Sequence, residues 1–92
     1  MTVRVRFLAH LKTLFGVKEK DVELVEPALL EDLLKLLCDT PERRREIFLT
    51  DGSLNPQVII MKGGTNALSL QGLETPLGDG DAVAILPFLI GG

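Results

Sequence analysis

The stretch "DVELVEPALLEDLLKLLCDT", from Asp21 to Thr40, changes its hydrophobic period in the middle. Before Pro27, Val22 and Leu24 alternate with Asp21 and Glu23, the period of two expected of a half-buried strand over Asp21–Glu26. After it, Leu29, Leu30, Leu33, Leu36 and Leu37 recur at spacings of three and four, which predicts an amphipathic helix. Pro27 suits the first helical position, where a missing N–H costs nothing. A strand that hands over to a helix in this way means that sheet and helix share one core.

Upstream, "TVRVRF" (Thr2–Phe7) sets Val3, Val5 and Phe7 against Arg4 and Arg6. Strict alternation there predicts a strand with one buried face. Leu8–Phe15 fits a short helical segment closed by Gly16. Downstream, Asp39-Thr40-Pro41 ends the first long helix and starts a second, with Thr40 as cap and Pro41 at the first position. Ile47, Phe48 and Leu49 are expected against the core, and Asp51-Gly52 is a turn signal. Val58–Met61 reads as a strand, Gly63-Gly64 as a turn, and Ala67–Leu70 as a second short strand. After an Asp79-Gly80 turn, Ala82–Leu86 reads as the last strand, and Pro87 is expected to end it because proline cannot donate to a ladder. The order of two strands, helices and two or three further strands predicts an α+β roll with a helix packed across one face of the sheet. One domain over residues 1–92 is expected, with 87–92 as an extended C-terminal tail.

Composition narrows the function. Ten basic residues against thirteen acidic give a net charge of −3, which argues against nucleic acid or an anionic membrane as partner. The longest apolar run, Ala82–Ile90, falls well short of the ~20 residues that cross a bilayer. The opening "MTVRVRFLAH" carries Arg4 and Arg6 inside its apolar stretch, unlike a signal peptide. A single cysteine, Cys38, fits a reducing compartment, so a soluble, cytoplasmic domain is expected.

Catalytic groups are scarce. His10 has no second His or nearby Cys to complete a zinc site and reads as a surface residue. Cys38 ends an apolar helix face and reads as a small buried thiol. Arg43, Arg44 and Arg45 are consecutive, so they fan out around a helix; local pairing with Asp39, Glu42 and Glu46 is the expectation, and an acidic partner the alternative. "KGGT" (Lys62–Thr65) lacks the spacing of a phosphate loop and reads as a hairpin turn.

The functional signal is the end of the chain, "PFLIGG". Gly91 and Gly92 lack a Cβ and pass through narrow channels that other residues cannot. The terminal carboxylate is ionised at neutral pH and is a poor electrophile. Acyl chemistry at Gly92 therefore needs prior activation, most simply as an acyl-adenylate made by another protein. Six extended residues reach about 20 Å, and burying Phe88, Leu89 and Ile90 in a partner would offset roughly the backbone entropy lost on ordering the tail. The alternative is that Phe88, Leu89 and Ile90 pack on the domain's own core.

"GLETPLGDGDAVAILPFLIGG", Gly72–Gly92, resembles the C-terminal signature of the MoaD/ThiS sulfur-carrier proteins. The likeness lies in Thr75-Pro76-Leu77, in Asp79-Gly80-Asp81, in the proline after the last strand and in the terminal Gly-Gly. The resemblance implies a ubiquitin-like β-grasp fold with a mixed sheet of four to five strands. It implies a carrier without catalytic groups or bound cofactor of its own. A partner related to ubiquitin activators would adenylate Gly92 with ATP and magnesium, and a sulfur donor would convert it to a thiocarboxylate. In the molybdopterin branch, which the proline favours, the acceptor sits in the large subunit of molybdopterin synthase. By the same resemblance Gly92 carries the sulfur, Gly91 gives clearance, and Pro87, Phe88, Leu89 and Ile90 steer the tail into partners. Two further readings share the activated terminus: a ubiquitin-like modifier joined to lysines through Gly92, and a carrier for another acceptor such as a thiazole.

Overall fold

In the computed structural model, which describes residues 1–88, the alternation of the first strand is realised directly. Val3, Val5 and Phe7 are buried and Arg4 and Arg6 face solvent along β1 (Thr2–Phe7). A short helix α1 (Leu11–Phe15) follows, closed by Gly16 at φ 80°, a left-handed cap that glycine adopts without strain. Then come β2 (Glu19–Glu23), β3 (Ala28–Leu29), α2 (Leu30–Leu37) and α3 (Pro41–Ile47). The second half holds β4 (Val58–Lys62), β5 (Thr65–Asn66), two single-turn 3-10 segments, β6 (Pro76–Leu77) and β7 (Ala82–Pro87).

Five strands form one mixed sheet in the order β2-β1-β7-β4-β5, and β3 pairs with β6 beside it. β1 and β7 run parallel at the centre, and the other neighbours are antiparallel. Leu30, Leu33, Leu34 and Leu37 of α2 join Val3, Val5, Phe7, Ile60, Val83 and Ile85 in a single apolar core. The expected α+β architecture, with helices over one face of a mixed sheet, is therefore the observed one.

Several elements differ from the expectation in their bounds. Pro27 does not start the helix: the Glu26–Pro27 bond is cis, Ala28 and Leu29 pair with Leu77 and Pro76, and α2 begins at Leu30. Asp32 caps it, its carboxylate accepting the Leu29 N–H at 2.8 Å. The buried stripe of α2 is Leu30, Leu33, Leu34 and Leu37, so Leu34 is fully buried while Leu36 is 58% exposed. β2 begins at Glu19 and stops at Glu23, because β1 offers partners only from Arg6 to Thr2. Thr40 and Pro41 do start α3, the Thr40 hydroxyl accepting the Arg43 N–H at 3.2 Å. Ile47 is buried, Phe48 half-buried, and Leu49 exposed instead of touching the core. Gly63 and Gly64, both at positive φ, make the β4–β5 turn. The strand expected at Ala67–Leu70 lies earlier, at Thr65–Asn66. Ala67–Ser69 curls into a 3-10 turn because the Asn66 side chain accepts the Leu68 N–H at 3.0 Å, a local bond that competes with the ladder.

Candidate functional site

The tail leaves the domain from the end of β7, and β7 is held on both sides. Val83 and Ile85 enter the core, and the strand pairs with β1 over Ala82–Ile85 and with β4 over Val83–Pro87. Pro87 is the last residue of β7 and is itself paired, so the strand runs one residue past Leu86. Pro87 sits opposite Val58, and the next residue, Phe88, donates its N–H to the Gln57 carbonyl at 2.8 Å. Antiparallel partners alternate between hydrogen-bonded and non-bonded pairs; Phe88–Gln57 is a bonded pair, so Pro87–Val58 falls at the position where no N–H is owed to β4. Pairing therefore persists to the last described residue.

One face of the sheet is left open by the helices. On it Ala82, Ala84 and Leu86 of β7 lie beside Ile59 and Met61 of β4, as the registers Leu86↔Ile59 and Ala84↔Met61 require. Phe88 continues the alternation on the same face and is 61% exposed, so it does not pack on the domain's own core. Together these side chains make an apolar track that runs along β7 toward the tail. Phe88 is exposed and Ala84, Leu86, Ile59 and Met61 are half-buried, and apolar surface left open to solvent marks interaction sites. Toward β2 the face becomes charged: Arg4 lies 3.0 Å from Asp21 and 3.1 Å from Glu19, and Arg6 lies 4.0 Å from Glu19. The Asp21 carboxylate holds the Arg4 guanidinium in its charged form, raising its pKa. A charged ladder along the β2 edge also discourages strand addition there.

The track was missed by pattern reading, although a signal was present. "VIIMK" and "AVAILPF" are apolar at both parities, unlike "TVRVRF", and strands that are apolar on both faces are covered on both. Here one of those covers is absent from the described residues.

The residues of the "TPLGDGD" segment prove to be fasteners. Thr75 is the one polar residue buried among those described. Its hydroxyl donates to the Gly72 carbonyl at 2.7 Å and accepts the Gln71 N–H at 3.2 Å, while its own carbonyl accepts the Leu30 N–H at 2.8 Å. Asp79 accepts the Thr2 N–H at 2.8 Å, and Asp81 accepts the Gly78 N–H at 2.7 Å and lies 3.5 Å from Lys62. The Lys62 ammonium also donates to the Pro76 carbonyl at 2.9 Å. These contacts set the approach into β7.

Of the other candidates, His10 is exposed and lies 2.5 Å from Glu46, which joins α1 to α3. Cys38 is buried, and desolvation pushes its thiol up to about 11, against a smaller opposing pull from Arg44; a thiol held protonated is a poor nucleophile. Arg43 pairs with Asp39 at 2.6 Å, donates to the Leu14 carbonyl at 3.0 Å and lies over the Phe15 ring. Arg44 and Arg45 make no ion pair among the described residues. No group of three or more His, Cys, Asp or Glu among them is placed to hold a metal ion, and no described helix is long and apolar enough to cross a membrane. Leu89, Ile90, Gly91 and Gly92, the candidate residues of the tail proper, lie outside the described residues.

Comparison with known proteins agrees with this geometry. The family model described as "ThiS family" matches residues 5–92. Small archaeal modifier protein 3 of Haloferax volcanii is 30% identical over the full length of both chains. An Archaeoglobus fulgidus protein described as a sulfur carrier is 32% identical, again over the full length of both. Among solved structures, a Pyrococcus furiosus protein described as molybdopterin converting factor subunit 1 is 28% identical. It superposes with a TM-score of 0.76 over 97% of this chain and 99% of its own.

Proposed function

The chain belongs to the ThiS family, and from that premise we propose that it is a sulfur carrier charged at its Gly92 carboxylate by a partner enzyme. A ubiquitin-activating-type enzyme supplies ATP and magnesium; the carboxylate attacks the α-phosphorus, pyrophosphate leaves, and an acyl-adenylate forms. Hydrosulfide, the simplest sulfur donor, attacks the acyl carbon, AMP leaves, and the resulting thioacid loses its proton, so that Gly92 ends as a thiocarboxylate. Its sulfur is a far better nucleophile than the original oxygen and is handed to the acceptor. The chain contributes no acid, base or metal to these steps. Its share is to dock and to present the tail.

The observation that carries this reading is the apolar track of Ala84, Leu86, Ile59 and Met61 leading to exposed Phe88. A partner gripping the track has its active site within reach of Gly92, since four residues beyond Phe88 extend about 13 Å. For the acceptor we favour a pterin precursor held by the large subunit of molybdopterin synthase. Support comes from Pro87 at the end of the last strand and from the Pyrococcus furiosus protein's description.

A second reading has its own support: the Haloferax volcanii relative is named a modifier protein. An adenylate can be attacked by a lysine amine as well as by sulfur, so Gly92 linked to other proteins is the competing outcome. Intact and fragment mass spectrometry of the protein from its own host separates the two. Exchange of one oxygen for sulfur has the same nominal mass as oxidation of Met1 or Met61, so fragments must place the change on Gly92. A thiocarboxylate there is the expected result; a bare carboxylate with lysine conjugates would move the assignment to the modifier. Deleting Gly91-Gly92 is expected to abolish sulfur transfer with the fold intact, and retained transfer would refute the carrier.

A further inference from the structure

On the opposite side of the molecule from the track, α2, α3 and the turn after α3 enclose an open groove of about 690 Å³. Cys38, Phe48 and Leu49 line it on the apolar side, and Lys35, Arg44 and Arg45 on the charged side. Leu49 is 45% exposed, an apolar side chain left facing solvent at the groove's edge. The cations are not equally engaged. Lys35 is paired with Glu31 at 3.1 Å, whereas Arg44 and Arg45 have no acidic partner among the described residues. Two acidic groups also line the groove: Glu31, in the pair with Lys35, and Asp51, whose Oδ1 accepts the Ser53 N–H and hydroxyl at 3.0 and 2.6 Å. Those bonds hold the Asp51 pKa below the usual carboxylate value. The groove therefore offers apolar lining and two guanidiniums that form no ion pair among the described residues.

We propose that this groove seats the C-terminal segment Phe88–Gly92 of a second copy of this chain. The segment is the complement of the groove: Phe88, Leu89 and Ile90 are large and apolar, no side chain in it is charged, and its only charge is the terminal carboxylate. Two glycines before that carboxylate let it come close to the forked donors of an arginine, the geometry in which guanidinium and carboxylate pair best. Five extended residues span about 17 Å. The segment comes from a second copy because reversing a chain takes a four-residue turn. Only four residues follow Phe88, which is itself fixed to Gln57. Tail into groove is a heterologous contact, so association is open-ended and grows with concentration. A tail seated in this way is withheld from any other protein, whatever chemistry its terminus undergoes.

The test uses the full chain. Sedimentation velocity over a wide concentration range is expected to show a monomer that gives way to larger species. In parallel, the peptide PFLIGG is titrated into isotope-labelled full-length protein, once as the free acid and once as the C-terminal amide. The free acid is expected to shift backbone resonances of Arg44, Arg45, Phe48 and Leu49 and to dissolve the larger species. The amide, which lacks the charge, is expected to bind about tenfold more weakly. Arg44→Glu with Arg45→Glu is expected to leave a monomer at every concentration; should that pair fail to fold, Leu49→Glu, at an exposed position, serves in its place. A monomer at all concentrations in the natural chain overturns the proposal. So do peptide shifts confined to Ile59, Met61 and Leu86, or equal binding of acid and amide. None of these outcomes bears on whether Gly92 carries sulfur, which the mass spectrum decides separately.

Discussion

Truncating Phe88 to alanine tests whether this side chain serves the domain or a partner. Phe88 is 61% exposed, so some three-fifths of its apolar surface remains for another protein to cover. Full burial of a side chain of this size is worth roughly 1.5–3 kcal/mol, and the exposed share therefore about 1–2 kcal/mol. Docking to the proposed adenylating partner is expected to weaken by roughly five- to thirtyfold in Kd. The stability of the domain should change by less than about 0.5 kcal/mol, as for other exposed positions. The backbone bond from the Phe88 N–H to Gln57 is kept by alanine, so the strand end is not the variable. Two measurements are needed: urea unfolding of both proteins, and affinity for the adenylating enzyme with ATP absent, so that binding is read apart from chemistry. A stability loss above about 1 kcal/mol would mean that Phe88 packs on its own core after all. Unchanged affinity would mean that the partner does not grip the tail at this residue. Either result refutes the reasoning.

Other expectations rest on the interior. Leu34→Ala should cost about 2–5 kcal/mol, whereas Leu36→Ala, on the exposed side of the same helix, should cost less than about 0.5 kcal/mol; equal losses by urea titration would contradict the observed helix phase. Thr75→Val should cost about 1–3 kcal/mol, because the Gly72 carbonyl and Gln71 N–H lose their partner in a buried turn; no loss would mean that water replaces the hydroxyl freely. Burial raises the Cys38 thiol to about 11 from 9.0, so the fold favours its neutral form. The stability from that preference is fully present below pH 9 and is lost as pH rises toward 11. Urea midpoints should therefore fall over that window, and fall less in Cys38→Ala; parallel curves would remove the cysteine from the effect.

The parts of the fold legible in the sequence were those where a period is strict and a boundary is chemical. β1 is a clean alternation, Thr40-Pro41 is a side-chain cap followed by a residue that needs no N–H, and Gly16 sits where a left-handed residue is required. The misses share another cause. Pro27 looked like a helix start on local grounds, but the backbone after it is taken by Leu77 and Pro76 from a strand some fifty residues away, a pairing that no local pattern announces. Spacings of three and four along α2 fit Leu34 as well as Leu36, and only packing against the sheet selects Leu34. Pro87 was misjudged because the cost of a missing N–H depends on which of two alternating positions the residue occupies, and that depends on register with β4. The apolar track was hidden for a related reason: both faces of β4 and β7 are apolar, and sequence cannot say which face a helix leaves open.

Within the segment that carries the family resemblance, the part before β7 serves the fold and not the proposed chemistry of Gly92. Thr75, Asp79 and Asp81 each direct a side-chain oxygen to the fold, to Gly72 and Gln71, to Thr2, and to Gly78 and Lys62 respectively. What those bonds accomplish is geometric. They fix the turn from which β7 departs, β7 is then clamped between β1 and β4, and the clamp holds to Phe88. Loss of the Asp81–Lys62 contact, in Asp81→Asn, should on this argument lower stability modestly. It should leave the tail's reactivity in a small-molecule acylation assay unchanged, since the group acts on the strand and not on the terminus. A large change in intrinsic reactivity with an unchanged fold would instead place Asp81 at the chemistry, and the division between a clamped strand and a presented terminus would fail.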